Sequence, residues 1–118
     1  MFGPYVHSLN KGGLEDIVQS KRLLSTEGRY GDEGVRALRG SFRELYVRNN
    51  WGLRPDASRI YVEFATVHEP NRGGPPGISA IVHWSMPAGH YLAIRVTGVF
   101  DGFGEKVVVG RVEIPATP

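Results

Sequence analysis

The second half of the chain alternates. In Ile60-Tyr61-Val62-Glu63-Phe64, the residues Ile60, Val62 and Phe64 point one way and Tyr61 and Glu63 the other, the period-two pattern of a strand with one buried face. Ile78, Ala80, Val82 and Trp84 repeat the pattern against Ser79 and His83. Leu92, Ile94 and Val96 do so against Tyr91, Arg95 and Thr97, and Val108, Val112 and Ile114 against Arg111 and Glu113. Four strands are predicted, at about 59–67, 78–84, 90–100 and 106–114. Pro87-Ala88-Gly89 and Asp101-Gly102-Phe103-Gly104 make the tight connections, and a Gly- and Pro-rich stretch over 69–77 makes a longer one. A slip of one residue would bury Glu63, His83 and Arg95, so the pattern also sets the register.

The first half reads as helical. A short extended run, Pro4 to Leu9, precedes Leu14, Ile17, Val18 and Leu24 at helical spacing, with Glu15 and Asp16 in the first turn where the helix dipole favours them. A second helix is predicted from Asp32 as N-cap, with Val35, Leu38, Phe42 and Leu45 as its apolar stripe and Arg36, Arg39, Arg43 and Arg48 as a basic flank. Asn49 to Asp56 then crosses to the sheet. The expected fold is α+β: a single domain over 1–118, with a helical part at about 13–48 and a sheet part at about 59–114. One or two N-terminal helices would pack on one face of a four- to five-stranded antiparallel sheet and leave the other face open.

Composition narrows the chemistry. The 118 residues contain no cysteine, which removes disulfides, thiolate catalysis and Cys-ligated zinc. His68, His83 and His90 have no metal-ligand spacing, so no metal is expected. No run approaches the ~18 apolar residues of a membrane span, and no membrane partner is expected. Of the 14 basic residues only three are Lys (11, 21 and 106), leaving 11 Arg, and guanidinium forks favour a phosphate-bearing partner such as RNA or a dinucleotide.

On the expected open face, Glu63, His83 and Arg95 supply a carboxylate, an imidazole and a guanidinium on successive strands, and Tyr61, Tyr91, Thr97, Arg111 and Glu113 are the candidate substrate-binding groups. RNA cleavage by transesterification needs a base for the 2′-OH, an acid for the leaving 5′-oxygen and a cation for the charged phosphorane. Glu63 and His83 would share the first two roles and Arg95 would take the third, without cofactor or metal. The layout resembles the small metal-independent ribonucleases of microbial and toxin origin.

A second resemblance lies at the other end. Tyr5-Val6-His7-Ser8-Leu9, followed by Gly12, Leu14, Ile17 and Leu24, resembles the opening of ADP-ribosyltransferase domains. It implies that a strand-borne His7 holds the ribose of NAD, that Glu113 or Glu63 is the catalytic carboxylate, and that Tyr30 or Tyr61 stacks on nicotinamide. Both readings resemble C-terminal toxin domains of bacterial polymorphic and contact-dependent inhibition systems. That resemblance implies delivery from a larger secreted protein, action in the target-cell cytoplasm on RNA, most simply tRNA, or through NAD, and a cognate immunity protein as partner. The rival expectation is a non-catalytic module whose polar sheet face is a recognition surface. Convergence of the Glu63, His83 and Arg95 side chains separates the two, since acid, base and clamp must reach one phosphodiester.

Overall fold

In the computed structural model the described residues are 1–28, 31–48, 59–73 and 77–107. The expected fourth strand over 106–114 and the 49–56 crossing therefore fall largely or wholly outside them. The described chain is mostly β. In chain order the elements are β1 (Phe2–Asn10), α1 (Leu14–Ser20), β2 (Arg22–Leu24), β3 (Thr26–Glu27), β4 (Glu33–Arg39), α2 (Phe42–Arg48), β5 (Arg59–Thr66), β6 (Arg72–Gly73), β7 (Ile81–Ser85), β8 (Tyr91–Ala93) and β9 (Arg95–Asp101). A seven-stranded sheet runs β6-β7-β4-β1-β5-β9, with β3 also pairing β4, and β2 pairs β8 in a separate two-stranded sheet. All of these pairings are antiparallel.

The expected four- to five-stranded sheet is thus corrected to seven strands, its run at 90–100 divides between the two sheets as β8 and β9, and the N-terminal half differs in three further places. The short extended run at the N-terminus is instead the nine-residue strand β1, paired on one side with β4 and on the other with β5. The first helix stops at Ser20: Lys21 takes a left-handed conformation (φ 57°), its N–H bonds the Ile17 carbonyl, and Arg22–Leu24 leave as β2 so that Leu23 meets Leu92 across the small sheet. The first half of the predicted second helix is strand β4. Val35 and Ala37 face one core and Leu38 the other, an alternation a helix would not give. Gly40 (φ 128°) turns the corner, and only then does the chain become helical.

The start of α2 is fixed by a reciprocal pair. The Ser41 N–H bonds Glu44 Oε1 at 2.9 Å and the Glu44 N–H bonds Ser41 Oγ at 3.1 Å, a capping box that satisfies two donors at once. Ser41→Ala is expected to lower stability by about 1 kcal/mol, read as a shift of the urea midpoint at unchanged slope.

Neither face of the sheet is fully open. The larger core, Tyr5, Val35, Ala37, Ile60, Val62, Phe64, Val82, Trp84 and Val99, is closed by Leu14, Ile17 and Val18 of α1 and by Leu23 and Leu92 of the small sheet. On the opposite face α2 lays Phe42 and Leu45 over Val6 and Tyr61, with Leu38, Ile78 and Phe100 at the margin. Phe42 stacks on Phe100 with ring centroids 4.2 Å apart. The apolar residues on this second face are sufficient to draw a helix onto it. No helix among the described residues is long and apolar enough to cross a membrane.

Candidate functional site

The central strand β1 carries the best-defined polar group in the sheet. Its ladder with β4 is short, Tyr5 opposite Arg39 and Val6 opposite Leu38, while β3 pairs with the far end of β4 at Gly34 and Glu33. Between these two ladders the imidazole of His7 reaches β4 and its Nδ1 lies 2.7 Å from the Arg36 carbonyl oxygen. A carbonyl only accepts, so Nδ1 carries the proton and donates, which leaves Nε2 as the acceptor of the ring. Burial pushes the His7 pKa down, the Arg36 carbonyl opposes this, and the Arg59 guanidinium adds to the lowering. The imidazole is thus neutral, fixed in tautomer and held on the strand that leads through a 3-10 turn at Lys11–Gly13 into α1 and then β2. A neutral acceptor with set orientation suits a hydroxyl donor such as a ribose OH.

The groups expected on the open face are not brought together. His83 lies on β7, Glu63 on β5 and Arg95 on β9. Three strand spacings separate β7 from β5 in the sheet order, roughly 14 Å at about 4.8 Å each, and β9 lies one spacing further. Arg95 is exposed on β9 opposite Ala65. Glu63 is occupied in holding the fold: its Oε1 accepts the Phe42 N–H at 3.2 Å at the first turn of α2, and its Oε2 accepts the Thr97 hydroxyl at 3.2 Å. Thr97 occupies the bulge between Glu63 and Phe64 in the β5–β9 ladder. Glu63→Ala should therefore cost about 1–2 kcal/mol of stability through the lost cap, measured by thermal unfolding.

The remaining candidates divide. Tyr61 is 2% exposed within the second core, under Phe42, so its ring does not present a stacking surface to a ligand. Tyr91 is exposed on the small sheet with the Arg22 guanidinium 3.9 Å above its ring. Tyr30, Arg111 and Glu113 lie outside the described residues. A hollow of about 260 Å³ opens beside Trp84 and Tyr91, with His68, Glu69 and Asn71 at its polar side. Among the described residues no group of three or more His, Cys, Asp or Glu is placed to hold a metal ion.

His83 is buried, 5% exposed, and its pKa is lowered first by burial and then by the Arg36 and Arg72 guanidiniums, with a weaker opposing pull from the Glu33 backbone. Two depressed imidazoles have a consequence for folding. Below the ordinary His value near 6.5 the unfolded chain takes up protons that folded His7 and His83 refuse, so stability falls as the pH drops through that value toward the depressed ones. The slope reaches at most about 1.4 kcal/mol per pH unit per residue. The unfolding temperature is expected to be lower at pH 5.5 than at 7.5, and His7→Gln and His83→Gln should each flatten that dependence.

The signal for His7 is present in the sequence as a His-Ser pair ahead of an amphipathic helix. The roles of Ser41 and Glu44 are also legible, as Ser-x-x-Glu. The grouping of Arg36, His83 and Arg72 is not, because it depends on the pairing of three strands distant in sequence. Comparison of the chain with protein-family models, curated proteins and solved structures finds no match.

Proposed function

We propose that this chain consumes NAD by ADP-ribosyl transfer or hydrolysis, with His7 holding the ribose, in the setting of a toxin domain that a cognate immunity protein would neutralise. The observation that carries the reading is the neutral, tautomer-fixed His7 imidazole on a central strand that runs into α1 and then β2. This is the strand-helix order that the resemblance of residues 4–24 implies. In the reaction the bond between nicotinamide and ribose breaks and nicotinamide leaves with the electron pair. A nucleophile adds at the same carbon and gives up its proton. His7 Nε2 would accept a hydrogen bond from a ribose hydroxyl and so orient the sugar. Because Glu63 caps α2 and Tyr61 is buried, the resemblance leaves Glu113 as the carboxylate and Tyr30 as the stacking ring.

The test is to incubate the purified chain with NAD and a cell lysate and to follow nicotinamide release, with total RNA in EDTA as a parallel arm. Release of nicotinamide supports the proposal. Intact NAD together with cleaved RNA would overturn it in favour of metal-independent ribonuclease chemistry, and two intact substrates would overturn it in favour of a recognition surface.

A further inference from the structure

Two cross-strand rows meet on the face of the sheet opposite the main core. In the first, Arg36 of β4 stands opposite His83 of β7, and His83 stands opposite Arg72 of β6. In the second, Thr26 of β3 stands opposite Gly34 of β4, and Gly34 opposite Ser85 of β7. Alternation keeps both rows on one side, since Val35, Ala37, Val82 and Trp84 fill the core on the other. Directly opposed residues bring their Cβ atoms within about 5 Å, so the first row spans about 10 Å with one arginine on each side of the imidazole. Arg36, Arg72, Thr26 and Ser85 are all exposed.

The floor of this patch is Gly34. A Cβ there would stand 2.3 Å from His83 Nε2, so the ring lies against the glycine where a side chain would otherwise be. The His83 ring is almost wholly buried, and among the described residues its Nε2 has no hydrogen-bond partner. An unpartnered buried nitrogen costs about 1–3 kcal/mol, and two cations beside it oppose its protonation. An anion held between the two guanidiniums would offset their charge beside the ring. The acidic group at hand, Asp32, forms an ion pair with Arg36 at i,i+4. One carboxylate engages at most two of the five guanidinium N–H donors, so it steadies Arg36 and leaves donors for a ligand.

We propose that Arg36, His83 and Arg72, with the hydroxyls of Thr26 and Ser85, form a phosphate-binding site on the side of the sheet opposite His7. Arg72 and Arg36 clamp the phosphate from its two sides, above the His83 ring. The ligand class is a compact phosphate, free or at the end of a nucleotide. The site stands independently of NAD consumption.

The test is a titration of the full chain with ring-labelled histidine, adding inorganic phosphate at constant ionic strength against a chloride control and following the His83 ring resonances at pH 7. A saturable shift at His83 that leaves His7 unmoved is expected, with affinity at least tenfold weaker in Arg72→Gln. Arg72 is exposed on the two-residue strand β6, the last in the sheet order among the described residues, and unchanged His7 resonances would report an intact fold in that variant. No His83 shift beyond the chloride control, or undiminished affinity in Arg72→Gln, would overturn the proposal. A parallel titration with 5′-AMP names the source: tighter binding than inorganic phosphate marks a nucleotide terminal phosphate, and equal or weaker binding marks free phosphate.

Discussion

Gly34→Ala is expected to lose about 4 kcal/mol of the stability of the chain. Gly34 holds φ 148°, a conformation L side chains rarely adopt, and a Cβ there would meet both His83 Nε2 and the Trp84 backbone oxygen at 2.3 Å. The imidazole can rotate away, but the Trp84 oxygen belongs to β7, which is paired with β4 along five registered positions. Relief therefore requires the two strands to part. Backbone strain of this kind costs about 1–3 kcal/mol and overpacking a further 1–3, against the 5–15 kcal/mol that a domain of ordinary stability has in hand. A loss of about 4 kcal/mol, read from urea unfolding, is the expected outcome. Gly12→Ala is the control, since nothing lies within 4 Å of a Cβ built there; equal midpoints for the two variants would refute the account.

His7→Ala should lower NAD turnover by about 100-fold, the order seen when one preorganised hydrogen bond is removed from a reacting centre, and the Michaelis constant should rise because the ribose loses an anchor in the ground state too. The accompanying loss of stability is expected to be near 1 kcal/mol, the worth of the bond to the Arg36 carbonyl. His83→Gln should leave NAD turnover within a factor of about two, because His83 projects from the opposite side of the sheet. A ranking in which the His83 variant loses turnover and the His7 variant keeps it would move the reaction to the other face and end the NAD proposal. The pair of variants thus separates a role in catalysis from a role in folding.

The strands that alternate most regularly are legible from sequence. Ile60, Val62 and Phe64, then Val82 and Trp84, then Leu92 and Ile94, all enter the main core as their spacing implies. What misleads is the stripe Val35, Leu38, Phe42 and Leu45. Its spacing suits a helix, and three of its members do meet in the second core. They reach it from a strand, a Gly40 corner and a short helix in succession, and periodicity does not distinguish that path from one continuous helix. The flanking glycines at 34 and 40 are the local sign of a break. Alternation assigns Tyr61 to the polar side, which is correct for direction, yet its ring is apolar enough to be covered by α2. Glu63 reads from sequence as a free carboxylate because its partner, the Phe42 N–H, lies 21 residues upstream and no local pattern announces it.

The position of β1 also governs when the molecule can fold. This strand is made before either of its neighbours but sits inside the sheet, and neither β4, ending at Arg39, nor β5, ending at Thr66, yet exists when it is made. At about 5–20 residues per second of synthesis, β1 waits roughly 3–11 s between completion of its own last residue and completion of β5. Until β4 is complete, Tyr5 and Val6 have no neighbouring strand, and the β5 side of β1 is uncovered for the whole interval. The segment of this sheet that is uncovered earliest is therefore the same segment that later holds its two halves together.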